Sequence, residues 1–91
     1  MYFVYILYSS KTEKYYIGST ENIESRLKHH NAGSTPSTKS GAPHWKLKYM
    51  ESLTDRTAAL KRELEIKKKK SKRYIEWLIS FPKFFGTRAS R

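Results

Sequence analysis

Tyr2-Phe3-Val4-Tyr5-Ile6-Leu7-Tyr8 and, after a polar stretch, Tyr15-Tyr16-Ile17-Gly18-Ser19 are the segments whose reading decides the fold. Both are dense in aromatic and β-branched residues, the composition of strands. The first has no polar alternation, so it reads as a central strand covered on both faces. Ser9 to Lys14 is polar and reads as a turn, which makes the pair an antiparallel hairpin. With a turn of about four residues, Tyr5 lies opposite or nearly opposite Tyr16, and opposed residues share a face. The two phenols are therefore expected to project the same way.

Downstream, Thr20 to Asn22 offers caps for a helix running to about Ala32, with Gly33 as its stop. Ile23, Leu27 and His30 recur at helical spacing and form its inner stripe. Arg26 and His30, four apart, are neighbours on that helix. Residues 33–44 are rich in Gly, Ser, Thr and Pro and read as a loop. Trp45-Lys46-Leu47-Lys48-Tyr49 alternates apolar and basic residues, the pattern of a half-buried strand with one basic face. Thr54 or Asp55 caps a second helix of about fifteen residues. Its apolar arc is predicted as Ala59, Leu60, Leu64 and Ile66, and Glu63 falls inside that arc. A carboxylate there is costly unless it is paired, hydrogen-bonded or metal-bound. Ser71 caps a short third helix through Tyr74, Ile75, Trp77, Leu78 and Ile79. The chain divides into a domain over 1–80 and a tail over 81–91, expected to be partly docked or disordered.

Ninety-one residues suit one domain with a modest core. Cysteine is absent, so disulfides and thiolate metal sites are excluded. No apolar run is long enough to span a bilayer, and no signal-peptide pattern opens the chain. The expectation is a cytoplasmic protein. Nineteen Lys and Arg against eight Asp and Glu give a net charge of +11. A field of that size on a small domain attracts polyanions, and nucleic acid is the common one.

The residues also resemble a known family. Phe3-Val4-Tyr5 and Tyr16-Ile17-Gly18 are similar to the two halves of the GIY-YIG signature. Arg26 and His30 match the Arg and His of its first helix, and Glu63 matches the glutamate of its second long helix. The chain resembles most the short stand-alone bacterial members related to the nuclease domain of the excision-repair endonuclease. The resemblance implies an α+β fold: a small three-stranded antiparallel sheet flanked by helices in the order β-β-α-β-α-α. It implies a divalent-metal-dependent endonuclease hydrolysing DNA phosphodiesters, in a structure-selective or repair-related role. Glu63 would hold one Mg²⁺ or Mn²⁺, and a single carboxylate suits one ion better than two. Arg26 would bind the scissile phosphate. Tyr5 or Tyr16 would position water or act as general base, with a phenol pKa lowered by Arg26 and the metal. His30 would relay a proton or orient a tyrosine, and Gly18 would keep the backbone open to substrate.

Each residue also has a plainer role. Strand tyrosines are commonly core aromatics, and Glu63 suits an i,i+4 pair with Lys67. The sequence departs from the family in two places. Gly and Ile of the first triad are replaced, and the Asn that many active members carry after the glutamate helix is missing. The only asparagines are Asn22 and Asn31, both upstream. Candidate phosphate contacts are Thr38, Lys39, Lys46, Lys48, Lys67, Lys68, Lys69, Lys70, Lys72 and Arg73. No base-reading motif accompanies them, so binding is expected to be sequence-independent. Alternatives are a non-catalytic nucleic-acid-binding module that keeps the fold, and a domain docking its basic face on an acidic protein. A domain this small also suits a protein partner for targeting.

Overall fold

In the structure, a computed structural model that describes residues 1–69 and 71–80, the aromatic hairpin pairs β1 (Tyr2–Ser9) with β2 (Lys14–Thr20). A third strand, β3 (Trp45–Leu53), adds antiparallel to the other side of β1, giving the order β2-β1-β3. β1 is thus the central strand. Its unbroken apolar run reflects that position: Val4, Tyr5, Ile6 and Leu7 are all buried.

Alternation along β1 sorts these residues into two small cores. Val4 and Ile6 join Ile17, Tyr49, Ala59, Ile66 and Leu78 on one face. Tyr5 and Leu7 join Trp45 on the other, where Tyr16, Ile23, Leu27 and Met50 pack against them. The first face is covered by α2 (Arg56–Lys69) and α3 (Lys72–Ile79), the second by α1 (Ile23–Asn31). Asn22 caps α1 by accepting from the Ser25 N–H, and Gly33 beyond its end takes the left-handed φ of +76°. Asp55 caps α2 through Ala58 N–H, and Ser71 caps α3 through Tyr74 N–H. The tail over 81–91 and Lys70 lie outside the described residues.

Three expectations change. The apolar arc of α2 is not Ala59, Leu60, Leu64 and Ile66. Ala59 and Ile66 are buried, but Leu60 and Leu64 are exposed. The inner face runs instead through Ala59, Arg62, Glu63 and Ile66, spaced three and four apart. Two charged side chains are tolerated there because each is paired: Arg62 Nε reaches Glu51 at 2.7 Å, and Glu63 has partners described below. β3 has no single basic face either. A register shift between Ile6 and Leu7 leaves Lys48 without a partner residue. Trp45 and Tyr49, which strict alternation would put together, therefore pack on opposite faces of the sheet. Finally, the stretch before β3 is not plain loop, since Pro36–Gly41 winds into a 3-10 helix.

Candidate active site

Tyr5 and Tyr16 do project to the same side, with ring centroids 6.3 Å apart, but they are not cross-strand partners. Tyr5 pairs with Gly18, and Tyr16 pairs with Leu7. The two phenols are diagonal neighbours, and the residue facing Tyr5 is the glycine. A Cβ at Gly18 would lie 2.5 Å from the Tyr5 hydroxyl, 2.7 Å from Cζ and 3.1 Å from Tyr16 Cε2. Gly18 therefore leaves room for the Tyr5 ring.

The α1 face holds the Tyr5 hydroxyl at both of its functions. His30 Nε2 lies 3.1 Å from it, and Arg26, one turn earlier on α1, hydrogen-bonds the same oxygen. His30 Nδ1 lies 2.7 Å from Thr38 Oγ1, whose own hydroxyl donates to the Thr35 carbonyl. That last bond sets the direction of the chain. With its proton on Thr35, Thr38 accepts from His30 Nδ1–H, so Nε2 carries the lone pair and accepts from Tyr5. Arg26 has no acceptor function, so it donates to the phenol oxygen. Burial, helped by Arg26 and His29, lowers the His30 pKa and keeps the imidazole neutral near pH 7, as this chain requires.

Tyr5 does not carry the lowered pKa that a resting base would need. Burial pushes its phenol up to about 12, with Tyr16 and Glu63 adding to the rise and Arg26 opposing it. Tyr5 is 1% exposed, whereas Tyr16 is only partly buried. Tyr16 packs on the His30 ring at 4.8 Å between centroids. Of the two phenols, it is the more exposed.

Glu63 approaches from the other face of the sheet. Ser19, next to Gly18, points toward α2 by the alternation of β2, and its hydroxyl donates to Glu63 Oε1 at 2.8 Å. Lys67 Nζ donates to Oε2 at 2.7 Å. The carboxylate is near enough to Tyr5 for its charge to oppose phenol ionisation. Among the described residues no three His, Cys, Asp or Glu cluster as a metal cage. A lone carboxylate whose oxygens each keep a free lone pair nonetheless fits a cation that takes one protein ligand and retains its waters. That is the habit of Mg²⁺.

Ser19 was not singled out in the sequence, although β2 alternation places it on the α2 side. Thr38 is the reverse case. It is buried at 1% and committed to His30, and its carbonyl accepts from Trp45 Nε1 at 2.8 Å, so it is no phosphate contact. Neither asparagine replaces the missing one. Asn22 caps α1, and Asn31 clamps α1 to β3 through Trp45, donating to its carbonyl at 3.0 Å and accepting from its N–H at 2.8 Å. Lys39, Lys46, Lys48, Lys67, Lys68, Lys69, Lys72 and Arg73 are exposed. They divide among the 3-10 helix (Lys39), β3 (Lys46 and Lys48) and the junction of α2 with α3 (the rest).

The three-stranded antiparallel sheet with helices in the order β-β-α-β-α-α is the fold expected of the family that the sequence resembles. The family model described as the GIY-YIG catalytic domain matches residues 1–75, and the chain belongs to that family. Two curated relatives carry the name UPF0213 protein. The one from Haloquadratum walsbyi is 39% identical over 66 residues, covering 72% of this chain and 73% of that protein. The one from Clostridium perfringens is 41% identical over 68 residues, covering 75% of this chain and 72% of that protein. No solved structure matches. No helix among the described residues is long and apolar enough to cross a membrane.

Proposed function

We propose that the protein is an endonuclease that hydrolyses DNA phosphodiester bonds with the help of one Mg²⁺ or Mn²⁺ ion. The observation that carries this reading is the convergence of Arg26 and His30 on the buried phenol of Tyr5. A guanidinium and an imidazole locked through a shared oxygen are a pre-organised phosphate site, at a cost in buried polar groups that packing alone does not require.

The roles follow from position. Arg26, partly exposed and anchored by Tyr5, donates to the scissile phosphate and meets the charge that builds on its non-bridging oxygens. Tyr16, the more exposed phenol, orients the attacking water. Attack forms one phosphorus–oxygen bond as the water gives up a proton to solvent, and breaks the bond to the leaving sugar oxygen, which takes a proton from solvent. Tyr5 and His30 position the machinery: the neutral imidazole holds the phenol proton, and the phenol oxygen aims Arg26. Glu63 would hold the cation, which supplies charge neutralisation and makes bound water more acidic. The lysines at the α2–α3 junction and on β3 contact the backbone without reading bases. Affinity for DNA should therefore fall steeply between low and high salt. A cytoplasmic setting and a targeting partner complete the proposal.

A second reading, a nucleic-acid-binding module without turnover, has its own support. Both asparagines are committed to structure, and Lys67 holds the candidate metal ligand. One experiment separates the two. Varied DNA and RNA structures are incubated with the protein and Mg²⁺ or Mn²⁺, beside Glu63→Ala and Arg26→Ala. Cleavage lost in both variants, with folding intact, supports the nuclease. Binding without cleavage of any substrate supports the module.

A further inference from the structure

Beside Glu63, on the α2–α3 side of the sheet, lies a cavity of about 300 Å³ whose apolar lining the roles above do not use. Its floor is apolar: Ile17 of β2, Ile66 of α2 and Ile75 of α3. Its rim is basic, with Lys14, Lys67 and Lys72 from three different elements, and Glu13 is the one acidic residue among the described residues lining it. The volume is at the lower end of small-ligand sites. An apolar floor under three ammonium groups suits a flat apolar body that carries negative charge.

Two features tie this cavity to the site. Lys67 belongs to both, since it lines the cavity and binds Glu63 Oε2 at 2.7 Å. Along β2, Ile17 of the floor is two residues from Ser19, which holds the other Glu63 oxygen, a separation of about 6.6 Å. Along α2, Lys67 is one turn from Glu63, about 6 Å. The cavity is therefore roughly one nucleotide's reach from the candidate metal ligand. A strand whose scissile phosphate sat at Arg26 and Glu63 would bring an adjacent nucleotide to its mouth.

We propose that this cavity is a nucleotide subsite: an unpaired base of the substrate strand lies over Ile17 and Ile75, above the buried Ile66, and its phosphate meets Lys14, Lys67 and Lys72. The strand as source rests on the nuclease reading; the nucleotide chemistry rests on the cavity alone. The subsite favours frayed, flapped or single-stranded DNA, because a paired base cannot enter it.

The test is amide NMR of the full chain, without metal, titrated separately with deoxyadenosine monophosphate, inorganic phosphate and a short single-stranded DNA. The oligonucleotide and the mononucleotide should both shift the amides of Ile17, Ile66 and Ile75, and inorganic phosphate should leave them in place. Lys14→Ala combined with Lys72→Ala, both exposed positions, should weaken mononucleotide binding roughly tenfold, as two lost charge-assisted contacts allow. Shifts at the floor with the oligonucleotide but not the mononucleotide also support the proposal, since the strand then supplies the affinity. It is overturned if phosphate alone reproduces the shifts, if the double variant binds the oligonucleotide like wild type, if neither nucleotide probe shifts the floor, or if only the mononucleotide reaches it. Failure of the nuclease reading is distinguishable: cleavage would be absent while the floor still responds to nucleotide.

Discussion

Replacing Gly18 with alanine tests the reasoning about the site most directly, because two physical effects predict opposite signs. Gly18 lies inside β2 and is not among the residues with positive φ. On backbone entropy alone, alanine should stabilise the strand by about 0.5–1 kcal/mol. The geometry says otherwise. The new Cβ would fall 2.5 Å from the Tyr5 hydroxyl and 2.7 Å from its Cζ. Tyr5 cannot swing clear, since its ring is 1% exposed and its hydroxyl is held by His30 and Arg26. Overpacking of this kind costs about 1–3 kcal/mol. Breaking the buried Tyr5–His30 bond to relieve it costs about 1–3 kcal/mol more.

Set against the entropic gain, the net loss is about 3 kcal/mol, or roughly 10–20 °C in melting temperature for a chain of this size. Thermal unfolding followed by circular dichroism measures it. Tyr5→Phe in the same chain removes the nearest clashing atom but leaves Cζ, so it should recover part of the loss. A Gly18→Ala protein that melts at or above the wild-type temperature would refute the role assigned to this glycine and the locked position of the phenol.

Other consequences are simpler. The Tyr5 phenol, raised from 10.0 to about 12, favours folding below pH 10 and loses that contribution as pH climbs through 12; Tyr5→Phe should remove this component from alkaline unfolding curves. The lowered His30 pKa has the opposite sense. Its contribution is present above the ordinary value of 6.5 and is lost as pH falls below it, and NMR of the ring should follow the change. Thr38→Val removes the acceptor for His30 Nδ1–H, so the imidazole nitrogen shifts should report a mixture of tautomers where the wild type has one. Asn31→Ala unpairs the Trp45 N–H and carbonyl together and should cost about 1–3 kcal/mol in denaturant unfolding.

Much of this was legible in the chain because the decisive residues are also the periodic ones. The unbroken run from Tyr2 to Tyr8 announces a strand covered on both faces, and β1 is central with a core on each side. His30 falls on the Ile23 and Leu27 stripe, so its burial could be read from spacing. What escaped depends on information that period does not hold. The bulge at Lys48 inserts one residue and reverses the faces of Trp45 and Tyr49, and nothing in the alternation from 45 to 49 marks it. Arg62 and Glu63 displaced Leu60 and Leu64 from the inner face of α2, because partners on β3, β2 and α2 made their burial affordable. Thr38, in a segment of small polar residues, looked like surface until the 3-10 helix turned it onto His30.

Strand β2 shows why the hairpin register matters to the site beyond stability. Four consecutive residues serve two walls. Tyr16 and Gly18 face α1, one lying on His30 and the other leaving room for Tyr5, while Ile17 and Ser19 face α2, one flooring the cavity and the other holding Glu63. Because side chains alternate strictly, a slip of one residue would exchange the walls. Tyr16 would turn toward Ile66, Ile17 would meet His30, and Ser19 would put a Cβ where Tyr5 needs none. The edge position of β2 leaves only one neighbouring strand to prevent this, the central β1 with its buried Val4–Leu7 stretch. The four positions from Tyr16 to Ser19 thus constrain one another through register, and a glycine among them is as specific a requirement as the phenol or the hydroxyl.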